Sequence, residues 1–198
     1  MSSSSACRTC TRYRCRVPEL VAPTTELRTA WLEAHAEWGP GSHEDGFGLG
    51  PFDEVQSPDG FAAWVARLAY QGRPATAGDA DGHRCAYRWI VEGDRVLGGI
   101  ALRYGSSEYL RWAGHLGYGI RPAARRRGLA AWALRQMLDE APALGLERVL
   151  AVCAVDNLAS AKTIEACGGV FEGIQDTRFG PARRYWIELA PGAFTACS

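Results

Sequence analysis

The sequence has no surplus of charge of either sign and no long apolar run. Lys plus Arg and Asp plus Glu are balanced at 22 each in 198 residues, so no overall electric field favours nucleic acid or a membrane surface. No apolar run approaches the roughly 18 residues that cross a bilayer. The basic N-terminus is not followed by the apolar segment of a secretory signal. We therefore expect a cytoplasmic protein that binds neither nucleic acid nor membrane.

A disulfide framework and a metal centre also find little support. The chain has seven cysteines, and an odd number without an export signal favours free thiols. Cys7 and Cys10 form a C-x-x-C pair, but no fourth ligand follows at the spacing of a zinc site. Cys153 and Cys167 lie in apolar segments, which is typical of small core residues. We expect no metal, and we interpret residues 1–16 as a flexible tail.

The rest of the chain alternates strand and helix patterns without an internal repeat. Their order is strand, two helices, three strands, helix, strand, helix and two strands. A Gly- and Pro-rich segment at 39–60 is long enough to be a lid, a binding loop or a disordered stretch. The order predicts one α/β domain with a mixed sheet over residues 17–190, and residues 191–198 are predicted to be a C-terminal tail.

The stretch IRPAARRRGLAAWALRQML at 120–138 places three arginines directly before Gly128 and the start of an amphipathic helix. Backbone N–H groups at a helix N-terminus lack intrahelical partners and attract anions. A glycine there lets the backbone approach a pyrophosphate closely, and the guanidinium groups add charge. The pattern is neither G-x-x-x-x-G-K-[ST] nor G-x-G-x-x-G. It indicates a diphosphate site or, alternatively, a solvated basic turn.

Two motifs in this order resemble those of the GNAT N-acetyltransferases. GYGIRPAARRRGLAAWALRQML at 117–138 is similar to motif A, R/Q-x-x-G-x-G/A, with Arg125, Gly128 and Ala130 at its fixed positions. VLAVCAVDNLASAKTIEACGGVFEG at 149–173 looks like motif B. The resemblance also extends to predicted bacterial acetyltransferases. It implies a GNAT fold: a central mixed, mostly antiparallel sheet splayed between strands 4 and 5, with helices on both faces.

The resemblance also implies where acetyl-CoA binds. The backbone of Ile120 and its neighbours would pair with pantetheine between the splayed strands. Amides of residues 125–130 would hold the pyrophosphate, and Asn157 and Ser160 would face the pantetheine arm. The implied cofactor-binding residues are Ile120, Arg121, Arg125, Arg126, Arg127, Gly128, Leu129, Ala130, Asn157 and Ser160.

One position departs from the family pattern. Many members carry a tyrosine seven residues after the motif B asparagine, where it protonates the leaving thiolate, but this chain has Ile164. The hydroxyl of Tyr118, which shares a strand face with Ile120, is one replacement, and solvent is another. Tyr118 is otherwise an aromatic packing residue.

Four further residues are candidates for the general base that deprotonates the amine. A histidine titrates near neutrality, and His115 precedes the expected thioester site on the same strand, although a structural, hydrogen-bonded role is the favoured interpretation. Glu44 and Asp45 lie in the Gly-rich loop that would border the acceptor pocket, where carboxylates are often only solvated. Glu108 is a weaker candidate of the same kind. The candidate catalytic residues are thus Tyr118, His115, Glu44 and Asp45, with Glu108 behind them.

These observations favour an acetyl-CoA-dependent N-acetyltransferase acting on a primary amine of a small molecule, as a monomer or a homodimer. Trp31, Trp38 and Trp64 would wall a pocket for a cationic amine or pack in the core. Two alternatives stay open. One is a protein N-terminus or lysine as acceptor, and the other is a non-catalytic acyl-CoA sensor.

Overall fold

Two antiparallel sheets organise the chain. The computed structural model describes residues 17–39, 46–73, 84–105, 108–178 and 180–189. The first sheet consists of β1 (Glu19–Val21), β2 (Arg84–Glu92), β3 (Arg95–Tyr104) and β4 (Leu116–Ile120), paired in that order. The second consists of β5 (Arg148–Ala154), β6 (Val170–Thr177) and β7 (Gly180–Glu188), with β7 in the middle.

Within the described ranges, five α-helices connect or cover these strands. They are α1 (Arg28–Trp38), α2 (Pro58–Gln71), α3 (Glu108–Ala113), α4 (Leu129–Glu140) and α5 (Leu158–Glu165), with 3-10 turns at Thr25–Leu27, Pro122–Ala124 and Ala141–Leu144. Local signals explain several ends. Ser57 accepts a hydrogen bond from the amide of Gly60 at the start of α2, and Pro58 occupies the first turn. Gly93, with φ of 69°, makes the predicted turn between β2 and β3.

The first sheet is covered on both faces. Helices α1 and α2 pack on one face around a cluster of buried aromatic rings, contributed by Trp31, Phe47, Phe61, Trp64 and Trp89. Helix α4 packs on the other face through Leu129, Ala133, Leu134 and Met137, which are 5% exposed or less. Trp31 and Trp64 are therefore core residues and not walls of a pocket. Helices on both faces were expected, and the α/β fold class is confirmed.

Among the described residues, hydrogen bonds join the two sheets just before the N-terminal end of β4. The amide of His115 donates to the carbonyl of Leu150 at 2.8 Å, and its Nδ1 accepts from the amide of Leu150 at 2.9 Å. Beyond this junction no described strand pairing joins β4 to β5. The expected splay between strands 4 and 5 is therefore confirmed.

Helix α3 was not expected. The sequence pattern predicts a strand from residue 113, but β4 begins at Leu116, after this six-residue helix and Gly114 with φ of 73°. A helix of under two turns is too short to show a 3.6-residue period. None of the helices in the described ranges is long and apolar enough to cross a membrane.

Candidate active site

The gap between β4 and β5 is a cleft of about 800 Å³. One side, the β4 wall, consists of Leu116–Ile120 and residues 124–126 and 128–131. The other, the β5 wall, consists of residues 152–154 at the end of β5 and residues 157, 159, 160 and 163 at the start of α5. Nine of the predicted site residues line this cleft: Tyr118, Ile120, Arg125, Arg126, Gly128, Leu129, Ala130, Asn157 and Ser160.

The β4 wall offers backbone groups to the cleft. The carbonyl of His115 and the amide of Arg121 bond to β3, at 2.7 and 2.9 Å. Because antiparallel pairing alternates along a strand, the polar backbone groups of Tyr118 and Ile120 point away from β3, toward the cleft. The carbonyl of Ile120 accepts from Arg125 Nε at 3.0 Å. The amides of Tyr118 and Ile120 and the carbonyl of Tyr118 therefore face the cleft.

Residues 121–128, which we call the anion turn, shape the end of this wall. Arg126 and Gly128 both adopt left-handed backbone conformations, with φ of 63° and 76°. No side chain caps the start of α4 at Gly128, so its first amides are open to a ligand. Such alternating conformations form a concave nest of N–H groups that binds anions. A β-carbon placed on Gly128 would meet no described atom within 4 Å. The turn therefore fits a pyrophosphate.

Two arginines of this turn line the cleft. The guanidinium of Arg125 lies 5.4 Å from the ring centre of Trp38, a cation–π contact, and Trp38 itself lines the cleft. Arg126 is exposed at the turn. Trp38, which was predicted as a wall of the acceptor pocket or a core residue, thus lines the cleft between β4 and β5.

Arg121 and Arg127 do not line the cleft. Arg121 is 4% exposed, and its guanidinium pairs with Glu37 at 2.5 Å. Arg127 pairs with Glu92 at 2.6 Å, at the end of β2. Both side chains point to carboxylates that do not line the cleft. The prediction that the amides of residues 125–130 hold the pyrophosphate does not depend on these side chains.

The β5 wall offers side chains. Asn157 Oδ1 accepts from the amide of Ser160 at 3.0 Å and caps α5. The Ser160 hydroxyl lies 2.7 Å from the Tyr118 hydroxyl, which also donates to the Ser160 carbonyl at 3.3 Å. Burial raises the pKa of the Cys153 thiol, so at neutral pH this cleft residue is protonated. The two hydroxyls are the groups that join the walls.

Ile164 lies outside this arrangement. It is 1% exposed and packs in the core beside α4, so it offers no polar group to the cleft. The hydroxyls of Tyr118 and Ser160, which contact each other, lie between the walls instead. Sequence reasoning considered the two residues separately and missed their contact, because 42 residues separate them along the chain.

The other catalytic candidates are placed differently. His115 lies at the junction of the two sheets, where burial lowers the pKa of its imidazole, and it does not line the cleft. Glu44 and Asp45 lie outside the described residues. Glu108 begins α3 and lines a separate pocket of about 290 Å³ with Trp112. Among the residues described, no group of three His, Cys, Asp or Glu side chains is placed to hold a metal ion.

A sheet splayed beside an anion-binding turn defines the acyltransferases of the GNAT class. The model of the acetyltransferase (GNAT) domain matches residues 42–170, and the chain belongs to this family of N-acetyltransferases. Enzymes of this family take the acetyl group from acetyl-CoA, which is the cosubstrate here. No curated protein matches the chain.

Solved structures show the same fold at low identity. RimJ of Mycobacterium smegmatis, in complex with CoA-disulfide, has a TM-score of 0.67 and 16% identity over 87% of this chain and 82% of that one. RimL, the ribosomal L7/L12 alpha-N-protein acetyltransferase, has a TM-score of 0.64 and 16% identity over 87% of this chain and 94% of that one. The microcin C7 self-immunity acetyltransferase MccE, bound to acetyl-CoA and AMP, has a TM-score of 0.60 and 13% identity over 86% of this chain and 92% of that one.

Proposed function

We propose that the enzyme transfers an acetyl group from acetyl-CoA directly to a primary amine of a small molecule, such as an antibiotic, a polyamine or an amino-acid-like metabolite. The observation that carries the small acceptor is the segment from Gly46 to Asp53, which covers the first sheet beside Tyr118. An acceptor on that side meets a closed surface and not an open groove.

The segment lies directly on the strands. A β-carbon on Gly46 would come within 2.4 Å of the Gly99 carbonyl oxygen and 2.8 Å of Tyr118 Cα. Phe47 is 1% exposed, and its ring occupies the space that a side chain at Gly99 would need. Because backbone meets backbone here, nothing as wide as a polypeptide fits between the segment and β4.

Side chains of α2 hold the segment down. Arg67 donates to the carbonyl of Gly48 at 2.8 Å and pairs with Asp53 at 2.5 Å. Trp64 Nε1 donates to the same carbonyl at 3.3 Å, and Asp53 accepts from the amide of Gly50 at 2.6 Å. This network fixes the segment on the sheet, which supports a site without an open groove on that side.

A protein N-terminus is the second candidate acceptor. RimL and RimJ share the fold with TM-scores of 0.64 and 0.67, and RimL is described as an alpha-N-protein acetyltransferase. MccE, a self-immunity enzyme, shares it at 0.60. The fold therefore serves both kinds of acceptor, and the closed segment favours the small one.

The donor would lie along the β4 wall. The anion turn and the first amides of α4 would hold the pyrophosphate, with Arg125 and Arg126 adding positive charge. The backbone of Tyr118 and Ile120 would pair with the pantetheine arm. Asn157 would act through the shape of the β5 wall, since its side chain is engaged at the start of α5.

The chemistry needs a donor for the developing oxyanion and a proton for the departing thiolate. The amine nitrogen attacks the thioester carbonyl, and the C–S bond breaks. The amide of Ile120, one of the two β4 amides that face the cleft, would be this donor. The Tyr118–Ser160 hydroxyl pair delivers the proton to sulfur. An amine with a pKa of about 10.4 must lose a proton first, and Glu44 and Asp45 remain the predicted bases.

Thiol release from acetyl-CoA, measured across a panel of acceptors, tests the proposal. The panel includes polyamines, aminoglycosides, amino acids and nucleoside antibiotics, with peptides that begin with serine or alanine as the second arm. Turnover with one class of small amine, and none with peptides, is expected. Turnover with peptides alone would establish the second candidate. Tight acetyl-CoA binding without turnover in either arm would favour a sensor.

A further inference from the structure

We propose that the last turn of α1 positions the anion turn, and that Glu37 is the positioning residue, acting through Arg121 and the amide of Ala123. This inference rests on the proposed binding of the pyrophosphate at the anion turn. It assigns a function to a helix that the cofactor motifs do not include.

Glu37 contacts the anion turn with both carboxylate oxygens. Oε1 accepts from Arg121 Nη2 at 2.5 Å, and Oε2 accepts from the amide of Ala123 at 3.3 Å. The hydrogen bond from Arg121 is the main cause that holds the pKa of Glu37 below its usual range, and the bond from Ala123 acts in the same direction. The carboxylate is therefore charged at neutral pH, and it holds the turn at the side chain of Arg121 and at the amide of Ala123.

Arg121 depends on this partner because it is buried. Its side chain is 5% exposed, Nη1 donates to the carbonyl of Val96 at 3.1 Å, and Nε has no partner among the described residues. Without Glu37 a buried guanidinium would keep one neutral acceptor, which is costly. Arg121 would then leave this position, and β4 would lose the anchor of the residue that leads into the turn.

The next residue of α1, Trp38, contacts the turn further along the chain, at Arg125. Trp38 lies under the guanidinium of Arg125 at 5.4 Å, and Arg125 Nε bonds to the carbonyl of Ile120 at 3.0 Å. This contact fixes the cationic side chain at the mouth of the cleft. Two successive residues at the end of α1 thus hold the first part of the turn, at Arg121, Ala123 and Arg125.

A role of Glu37 through its charge and a role through positioning the turn predict opposite changes in acetyl-CoA affinity when the carboxylate is removed. A carboxylate near a pyrophosphate repels it, so if Glu37 acted only through its charge, its removal would strengthen acetyl-CoA binding. If Glu37 acts by positioning the turn, its removal weakens binding, because the amides no longer converge on the anion. The sign of the change separates the two roles.

The experiment compares E37Q with the matched control E33Q, an exposed glutamate on the same helix. Calorimetric titration with acetyl-CoA and with S-acetylpantetheine, which lacks the pyrophosphate, measures the affinity of each variant. We expect E37Q to bind acetyl-CoA about tenfold more weakly, as for a loss of about 1.4 kcal/mol. Binding of S-acetylpantetheine is expected to stay unchanged, and E33Q should match the wild type with both probes.

Three results would overturn the inference: unchanged affinity, stronger affinity, or an equal loss for both probes, which would indicate general damage. Should E37Q fail to fold, E37Q/R121M removes both charges of the pair, and the same selective loss of acetyl-CoA affinity is required of it. A wild-type protein that binds neither probe would contradict the proposed function itself, and this result is distinct from a failure of the variant.

Discussion

The two walls of the cleft present different kinds of chemical group to a ligand. The β4 wall presents main-chain amides and carbonyls, at Tyr118, Ile120 and the anion turn. The β5 wall presents side chains, chiefly the hydroxyl of Ser160 and the thiol of Cys153. The difference suggests that the donor is located by the backbone, whereas proton transfer depends on particular side chains.

The strands beside the two walls differ in how deeply they are buried. β3, which supports the β4 wall, is buried at nine of its ten positions, so the backbone groups beside it are held in a packed layer. The second sheet ends in β6, where Val170 and Ile174 are 68% and 60% exposed. Precise backbone geometry is thus found where the packing is densest.

The largest effect should come from removing the hydroxyls between the walls. In the double variant Tyr118→Phe/Ser160→Ala the departing thiolate loses its proton donor, and we expect kcat to fall about 100-fold. The KM for acetyl-CoA should stay near the wild-type value, because the backbone groups of the β4 wall are unchanged. Steady-state kinetics with saturating acceptor measure both quantities.

Tyr104→Phe is the matched control for this prediction. Its hydroxyl donates to the carbonyl of Arg73 at 3.1 Å, and it does not line the cleft. It should leave kcat unchanged. Normal turnover in the double variant would assign Tyr118 to packing and make solvent the proton source.

A smaller effect is expected from a methyl group in the anion turn. Gly128→Ala places a side chain in the cleft at a left-handed position, and we expect acetyl-CoA affinity to fall about tenfold, or about 1.4 kcal/mol. Gly145→Ala is its control, since Gly145 has φ of 81°, open space around its Cα and no place in the cleft. Both variants carry the same backbone strain, so only the difference in affinity reports the site. Equal affinities would contradict the pyrophosphate assignment.

Neighbouring arginines should differ despite their identical chemistry. Arg126→Ala removes a charge at the cleft, and a loss of about threefold in acetyl-CoA affinity, under 1 kcal/mol, is expected for an exposed contact. Arg127→Ala should leave the affinity unchanged, since its partner is Glu92. Titrations at low and high salt check this, because the Arg126 effect should shrink as salt rises.

The place of the residues around Gly128 in the cleft could be predicted because the requirements of a pyrophosphate site are local. A backbone that approaches a pyrophosphate needs Gly128, a small residue at Ala130 and a helix start, and all of these lie within one short stretch. The fold followed in the same way from the order of strands and helices. Acetyltransferase activity and the family were inferred from two motifs of this kind, and the domain match confirms both.

Side-chain directions could not be predicted from the same stretch. Arg125 and Arg127 look alike in sequence, but one turns over Trp38 and the other toward Glu92. The partner of Arg121 is 84 residues away in the chain, and no spacing rule connects such positions. Long-range pairs of this kind depend on how the helices pack, which a local pattern does not contain.

The smallest effect on ligand binding in the cleft is expected from a substitution of His115, which should instead lower the free energy of unfolding. His115→Ala removes the acceptor of the Leu150 amide at the junction of the sheets, which should cost about 1–3 kcal/mol of the free energy of unfolding and leave acetyl-CoA affinity unchanged in the folded protein. Because burial lowers the pKa of His115, the unfolded chain takes up this proton first as the pH falls. The stability from the neutral imidazole is therefore complete above about pH 6.5 and declines below it. Urea unfolding of the wild type and the variant between about pH 8 and 5 should show their difference shrinking. A constant difference would mean that the junction does not depend on the neutral form.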